Sequence, residues 1–110
     1  MEFIENLDGA VMVSDTEGNI IYLNEKAANT FQKDGGRALI GKNLKDCHQD
    51  SSNEKIREMM ESHEKNVYTI EKKGKKKLIY QAPWFHDGAF GGLVELSLEI
   101  PFEMPHFIRE

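Results

Sequence analysis

The placement of turn signals between short β-prone runs constrains this chain more than any other feature. Ala10-Val11-Met12-Val13-Ser14 is a short apolar run that favours a strand, and Ile20-Ile21-Tyr22-Leu23 is β-branched and aromatic, so it reads as the next. Between them lies Asp15-Thr16-Glu17-Gly18-Asn19. Gly18 and Asn19 both tolerate positive φ, which predicts a tight hairpin. Three further runs stand near the other end. Asn66–Lys72 alternates Val67, Thr69 and Glu71 with Tyr68 and Ile70, and Lys73-Gly74-Lys75 turns the chain. Lys77–Phe85 returns, His86-Asp87-Gly88-Ala89 turns again, and Gly92–Leu98 closes the set. Pro83 cannot donate a ladder hydrogen bond, so its end of the strand belongs at an edge or a bulge. In the last run Val94, Leu96 and Leu98 form the apolar set, while Leu93, Glu95 and Ser97 face the other way.

Helices fill the middle. Asn24 fits a helix N-cap, with Glu25 in the first turn, where a carboxylate suits the helix dipole. Ala27, Ala28 and Phe31 give a short apolar face that ends at Asp34-Gly35-Gly36. Leu39-Ile40-Gly41 and Leu44 make a second, irregular helical segment. A polar cap at Asp50-Ser51-Ser52-Asn53 leads into a longer helix in which Ile56, Met59, Met60 and His63 have helical spacing. Strand, strand, helices and three strands predict an α+β domain: a five-stranded antiparallel sheet with short helices on one face.

A chain of 110 residues is one domain's worth. Its apolar runs are only a few residues long, which excludes a transmembrane helix, and the acidic start MEFIENLDG is no secretory signal. Cys47 is the one cysteine, so an internal disulfide is excluded, and no CxxC pair points to structural zinc. The net charge of -5 argues against a general nucleic-acid binder. The simplest expectation is a cytoplasmic protein with neither nucleic-acid nor membrane partners.

The first half resembles a PAS domain (sensory box). Leu7-Asp8-Gly9-Ala10-Val11-Met12-Val13-Ser14-Asp15, then Gly18-Asn19-Ile20-Ile21-Tyr22-Leu23-Asn24, then Ala27-Ala28 follow the family's run of strand, turn, strand and "N-x-x-A". Gly41-Lys42-Asn43-Leu44 looks like the "G-x-x-L" before the long helix, and Asp87-Gly88 with Gly92 looks like the last hairpin. The likeness covers residues 7–100, which leaves residues 1–6 as a lead-in and 101–110 as a proline-containing tail. Cys47-His48 and Gly92-Leu93-Val94-Glu95-Leu96-Ser97 also resemble a PAS subgroup found with hemerythrin-like domains.

The resemblance implies the PAS fold and a sensory or interaction module, not an enzyme. Such domains enclose a pocket between the sheet and the helices, sometimes holding heme, flavin or a small acid, and they often dimerise. Met12, Met59 and Met60, with Phe31, Leu39 and Leu44, are candidate pocket residues, because methionine adapts its shape to an apolar ligand; core filling explains them equally well. Ser14 belongs to the same candidate set. His48, just before the long helix, is the candidate ligand for heme iron. Its plainer reading is a polar residue ending a short helix. His63 is a second candidate on that helix, although its neighbours are polar. A flavin–cysteine adduct is excluded, since Gly41-Lys42-Asn43 is followed by Leu44 where the light-sensing motif has cysteine. Flavin bound without an adduct is the lesser cofactor option. No serine stands in a nucleophile motif and no His, Cys and carboxylate spacing makes a metal cluster.

Asp15 and Asn24 read as local structural residues. Lys72, Lys73, Lys75, Lys76 and Lys77 read as a solvated hairpin that blocks edge pairing, or else as a contact for an acidic partner or a phosphate. Trp84 and Phe85 are either core or dimer surface. Pro101 and Pro105 oppose the amphipathic helix that often follows a PAS domain. Two functions are therefore expected. The first is a sensory module that binds a small ligand or cofactor and relays its state through a homodimer or a signalling partner. The alternative is a PAS-fold interaction module with no ligand.

Overall fold

A computed structural model describes residues 2–46 and 50–110. Five strands form one antiparallel sheet: β1 (Ala10–Ser14), β2 (Ile20–Leu23), β3 (Asn66–Lys72), β4 (Lys75–His86) and β5 (Ala89–Ile100), in spatial order β2-β1-β5-β4-β3. The helices are α1 (Glu2–Glu5), α2 (Glu25–Thr30) and α3 (Asp50–Ser62), with 3-10 turns at Gln32–Asp34, Gly36–Leu39 and Leu44–Asp46. This is the α+β PAS fold. No helix among the described residues is long and apolar enough to cross a membrane.

Turn chemistry sets the strand lengths. Lys73 and Gly74 take φ of 53° and 76°, and Asp87 and Gly88 take 50° and 82°. Positive φ at both central residues gives two-residue turns whose twist matches the flanking strands, so pairing continues to the turn. β4 and β5 consequently run longer than the sequence patterns indicate. Pro83 pairs with Leu93 of β5, on a stretch of β4 beyond the last β3 pair, Asn66–Gln81, and beside a register shift at Trp84/Phe85. On that free side its missing N–H costs nothing. The polar residues Asp50–Asn53 form the first turn of α3 rather than a cap ahead of it.

Side chains share the work of closing the β1–β2 end. Asp15 Oδ1 accepts from the amides of Glu17 and Asn19, both at 2.9 Å. Asn24 is wholly buried and caps α2: its Oδ1 accepts from Ala27 N at 2.9 Å and from Val11 N at 3.0 Å. Its Nδ2 donates to the carbonyls of Ile4 and Gly9 at 2.9 and 2.8 Å. One carboxamide thus joins the lead-in, β1 and α2. The lead-in, for which the sequence reading offered no element, contains α1. It is fastened by Glu5, which pairs with Arg37 and accepts from the Tyr22 hydroxyl at 2.7 Å. The core behind the sheet gathers Ala10, Met12, Ile20, Leu23, Ala27, Leu39 and Leu44. Residues 101–110 form no helix or strand.

Candidate functional site

Register decides which residues meet on the helical face. Directly opposed residues of antiparallel strands share a face, and one row crosses the whole sheet: Leu23, Met12, Glu95, Gln81 and Asn66. Leu23 and Met12 belong to the core, so this is the inner face. The inner side of β5 is therefore Leu93, Glu95 and Ser97. Its apolar set, Val94, Leu96 and Leu98, lies half-buried on the outer side.

A cavity of about 20 Å³ opens where this row meets α3. Met12, Ser14 and Leu93 form its sheet wall, and Leu44, Ile56 and Met59 form its helical wall. Gln81 and Glu95 line its polar end. Asn66 Nδ2 donates to Gln81 Oε1 at 2.9 Å, and Gln81 Nε2 donates to Glu95 Oε1 at 2.9 Å. An ionised carboxylate only accepts, so the amide must turn its NH₂ towards Glu95. The apolar wall is well buried, with Met59 2% exposed, whereas Gln81 and Glu95 are half-buried.

Backbone requirements bring the end of β1, where Ser14 lines the cavity, close against β5. Gly92 has φ of 138°, and a Cβ there would lie 2.0 Å from the carbonyl oxygen of Ser14. Ser14 Oγ accepts from Leu93 N at 3.2 Å, and Trp84 Nε1 donates to Ser14 O at 2.9 Å. These contacts clamp the end of β1 against β5. Trp84 is thus a half-buried strut over Gly91, while Phe85 stays 54% exposed.

Of the seven residues proposed for a pocket, Met12, Ser14, Leu44 and Met59 line this cavity. Phe31 does not; it packs, half-buried, against the core cluster. Leu39 is likewise core, and Met60 packs against the same cluster. His48 and its neighbour Cys47 lie outside the described residues. His63 lies exposed just after α3 in the left-handed region, with φ of 59°, and stacks on Phe90 at 4.0 Å between ring centres. That position is at the β4–β5 hairpin, away from the cavity. Gln81, Glu95, Leu93 and Ile56 were not singled out for the pocket. Ile56 carried a signal, its spacing of three from Met59. Glu95 and Gln81 carried none, because a strand pattern does not say which face turns inward.

A cavity needs about 10–15 Å³ on this measure to hold one water. The space is therefore about one water in size, and neither heme nor a flavin ring fits it. Among the described residues no group of His, Cys, Asp and Glu is arranged to hold a metal ion.

The sequence matches a family model described as PAS domain over residues 8–82. No curated protein matches it. Among solved structures it is similar to a sensory box sensor histidine kinase from Vibrio cholerae, with 16% identity, 92% of this chain and 89% of that one covered, and a TM-score of 0.67. It is also similar to the Aer2 receptor of Vibrio cholerae, described as a dual PAS-heme oxygen sensor, with 16% identity, coverage of 84% and 95%, and a TM-score of 0.62. The PAS domain of an HTR-like protein from Haloarcula marismortui gives 14% identity, coverage of 90% and 87%, and a TM-score of 0.63. The match is to the PAS domain family as a whole and does not distinguish a subgroup.

Proposed function

The chain belongs to the PAS domain family, and from that premise we propose that it is a sensory module whose cavity takes a small ligand and whose state passes to a second copy or a signalling partner. The observation that carries this reading is the cavity itself: adaptable methionines on the walls and an oriented Gln81–Glu95 pair at one end. The work is binding, not catalysis. Ser14, the hydroxyl in the wall, accepts from Leu93 N rather than standing beside a base.

β5 supplies a route outward. Leu93 and Glu95 face the cavity, which Val94 also borders, while Leu96 and Leu98 sit half-buried on the opposite face. A ligand that shifts β5 therefore alters the outer surface on which a partner would rest. A second reading, interaction without a ligand, is favoured by that same surface and by exposed Phe102, Met104, Phe107 and Ile108 in the tail.

The test is a ¹H–¹⁵N NMR screen of small polar compounds, with sedimentation velocity in parallel. Binding at the cavity shifts the amides of Met12, Gln81, Leu93 and Glu95, and changes association. A screen in which no compound moves those amides overturns the ligand reading. Self-association that Leu96→Glu weakens, with no compound bound, supports the interaction module instead.

A further inference from the structure

One edge of the sheet is bare. β3 pairs with β4 alone. Its two-residue turn closes on the Lys72–Lys75 pair, which exchanges backbone hydrogen bonds, so by alternation Ile70, Tyr68 and Asn66 also bond to β4. The N–H and C=O groups of Val67, Thr69 and Glu71 therefore point away from the sheet, and among the described residues no backbone group meets them. Val67, Tyr68 and Ile70 are exposed along this strand, and its charges are confined to the Glu71-Lys72 end. A long apolar edge of this kind is a template for another strand.

The tail has the pattern of such a strand. Residues 101–110 form no helix or strand and are exposed throughout; among the described residues their one hydrogen bond outside the tail comes from Lys76 Nζ to Phe102 O, at 3.4 Å. In extended backbone Phe102, Met104 and Ile108 share one face, with Glu103 and Arg109 on the other. Backbone groups alternate between edges in the same way. Pro101 and Pro105, which lack N–H, fall on one edge, while residues 102, 104, 106 and 108 keep every donor on the other. One edge of the tail is thus fit to pair and the other is interrupted, so an added tail ends the sheet instead of offering a new template.

We propose that the tail of one copy adds along the β3 edge of a second copy, antiparallel, with Ile108 opposite Val67. That register sets Phe107 against Tyr68, Glu103 against Lys72 and Glu110 against Lys65, so apolar meets apolar and each carboxylate meets a lysine. Ile108 extends the outer row of Val11, Leu96, Tyr80 and Val67. A slide of two residues either way breaks both charge pairs. The occupant is a second copy because a chain's own tail falls short. Ile100 pairs with Lys76, and the added position lies three strand spacings from β5, about 14 Å. Phe102 would have to stand there opposite Lys73, yet two residues span at most about 7 Å. Each copy carries a tail and an edge, so the exchange is reciprocal and closes a two-fold dimer. This names the contact for the second-copy relay proposed above and in that respect rests on that reading, but it requires no ligand.

The test is sedimentation velocity and amide hydrogen exchange of the full chain over a concentration series. Dimer is expected to form as concentration rises, and the amides of Val67, Thr69 and Glu71 to gain protection with it. His106→Pro removes a donor that faces β3 and should weaken association about tenfold or more, one backbone hydrogen bond being lost at each of two edges. Arg109→Pro, whose N–H faces away, should leave association unchanged. Both changes lie outside every helix and strand, so the fold is kept. Glu103→Lys and Lys72→Glu should each weaken association, and the two together should restore it. Association without protection at those three amides, or undiminished in His106→Pro, overturns the proposal and points to the outer sheet face instead. A chain that stays monomeric at every concentration also overturns it, while the cavity reading is decided separately by its own compound screen.

Discussion

Gln81 donates its side-chain amide to Glu95 across the β4–β5 ladder at 2.9 Å. The pair stands in a five-residue row that begins with buried, apolar Leu23 and Met12 and ends with Asn66. The inner face thus changes from packed core to oriented polar surface within one sheet. The cavity lies at that change.

Asn24 should be the most costly polar side chain to remove. Asn24→Ala deletes the α2 cap and strands the amide of Val11 and the carbonyl of Gly9. A cap and two buried unsatisfied groups together predict a loss of about 3 kcal/mol or more. Urea unfolding measures it; a loss below about 1 kcal/mol would contradict the hub role.

Two glycines should respond differently to alanine. At Gly92 the new Cβ meets the Ser14 carbonyl, so Gly92→Ala must displace β1 from β5 and should cost on the order of 3 kcal/mol or more. At Gly88 a Cβ meets nothing within 4 Å, and only the left-handed φ of 82° is strained. Gly88→Ala should cost about 1 kcal/mol. Thermal unfolding of the two variants provides the comparison.

Docking of the lead-in should depend on pH. Glu5 is held below the ordinary carboxylate value of 4.5, first by its hydrogen bond with Arg37 and next by that from Tyr22. Its folded pKa is depressed, so its contribution is complete above the unfolded value and disappears as pH falls through the folded one. The amides of Asn6 and Leu7, which donate to the α1 carbonyls of Glu2 and Ile4, should therefore lose protection from hydrogen exchange below about pH 4.5 before the sheet does. Arg37→Ala should give the same loss at neutral pH. Equal protection in wild type and variant across that range would refute the fastening.

Hemin added to the protein should give no sharp, stoichiometric absorption band, because the cavity is about one water in size. His63→Ala should leave the spectrum unchanged, since His63 stacks on Phe90 at the hairpin. A sharp band that His63→Ala abolishes would contradict both points.

The succession of strands and turns along the chain was legible because local chemistry demanded it. Asp87-Gly88 and Lys73-Gly74 can adopt the turn their hairpins need, and Asn24 has the shape and acceptor of a cap. What escaped was long-range. Val94, Leu96 and Leu98 alternate as a core face would, yet pairing of Met12 with Glu95 turns them outward. The bond from Trp84 to Ser14 spans 70 residues, and no local pattern announces it. α1 has four residues and no buried side chain, so nothing in its sequence distinguishes it from a tail. Four of the seven expected pocket residues line the cavity, because strand alternation and helical spacing placed them; Phe31 packs against the core instead, where α2 gives way to a 3-10 turn.

The most direct measurement is ligand binding after the cavity is filled. Met59→Phe adds bulk at a side chain that is 2% exposed and forms one wall of the 20 Å³ space. The variant should fold, by its NMR spectrum, and should no longer show the shifts at Gln81, Leu93 and Glu95 that a bound compound induces in the wild type. Undiminished binding by the folded variant would place the ligand elsewhere and contradict the internal site.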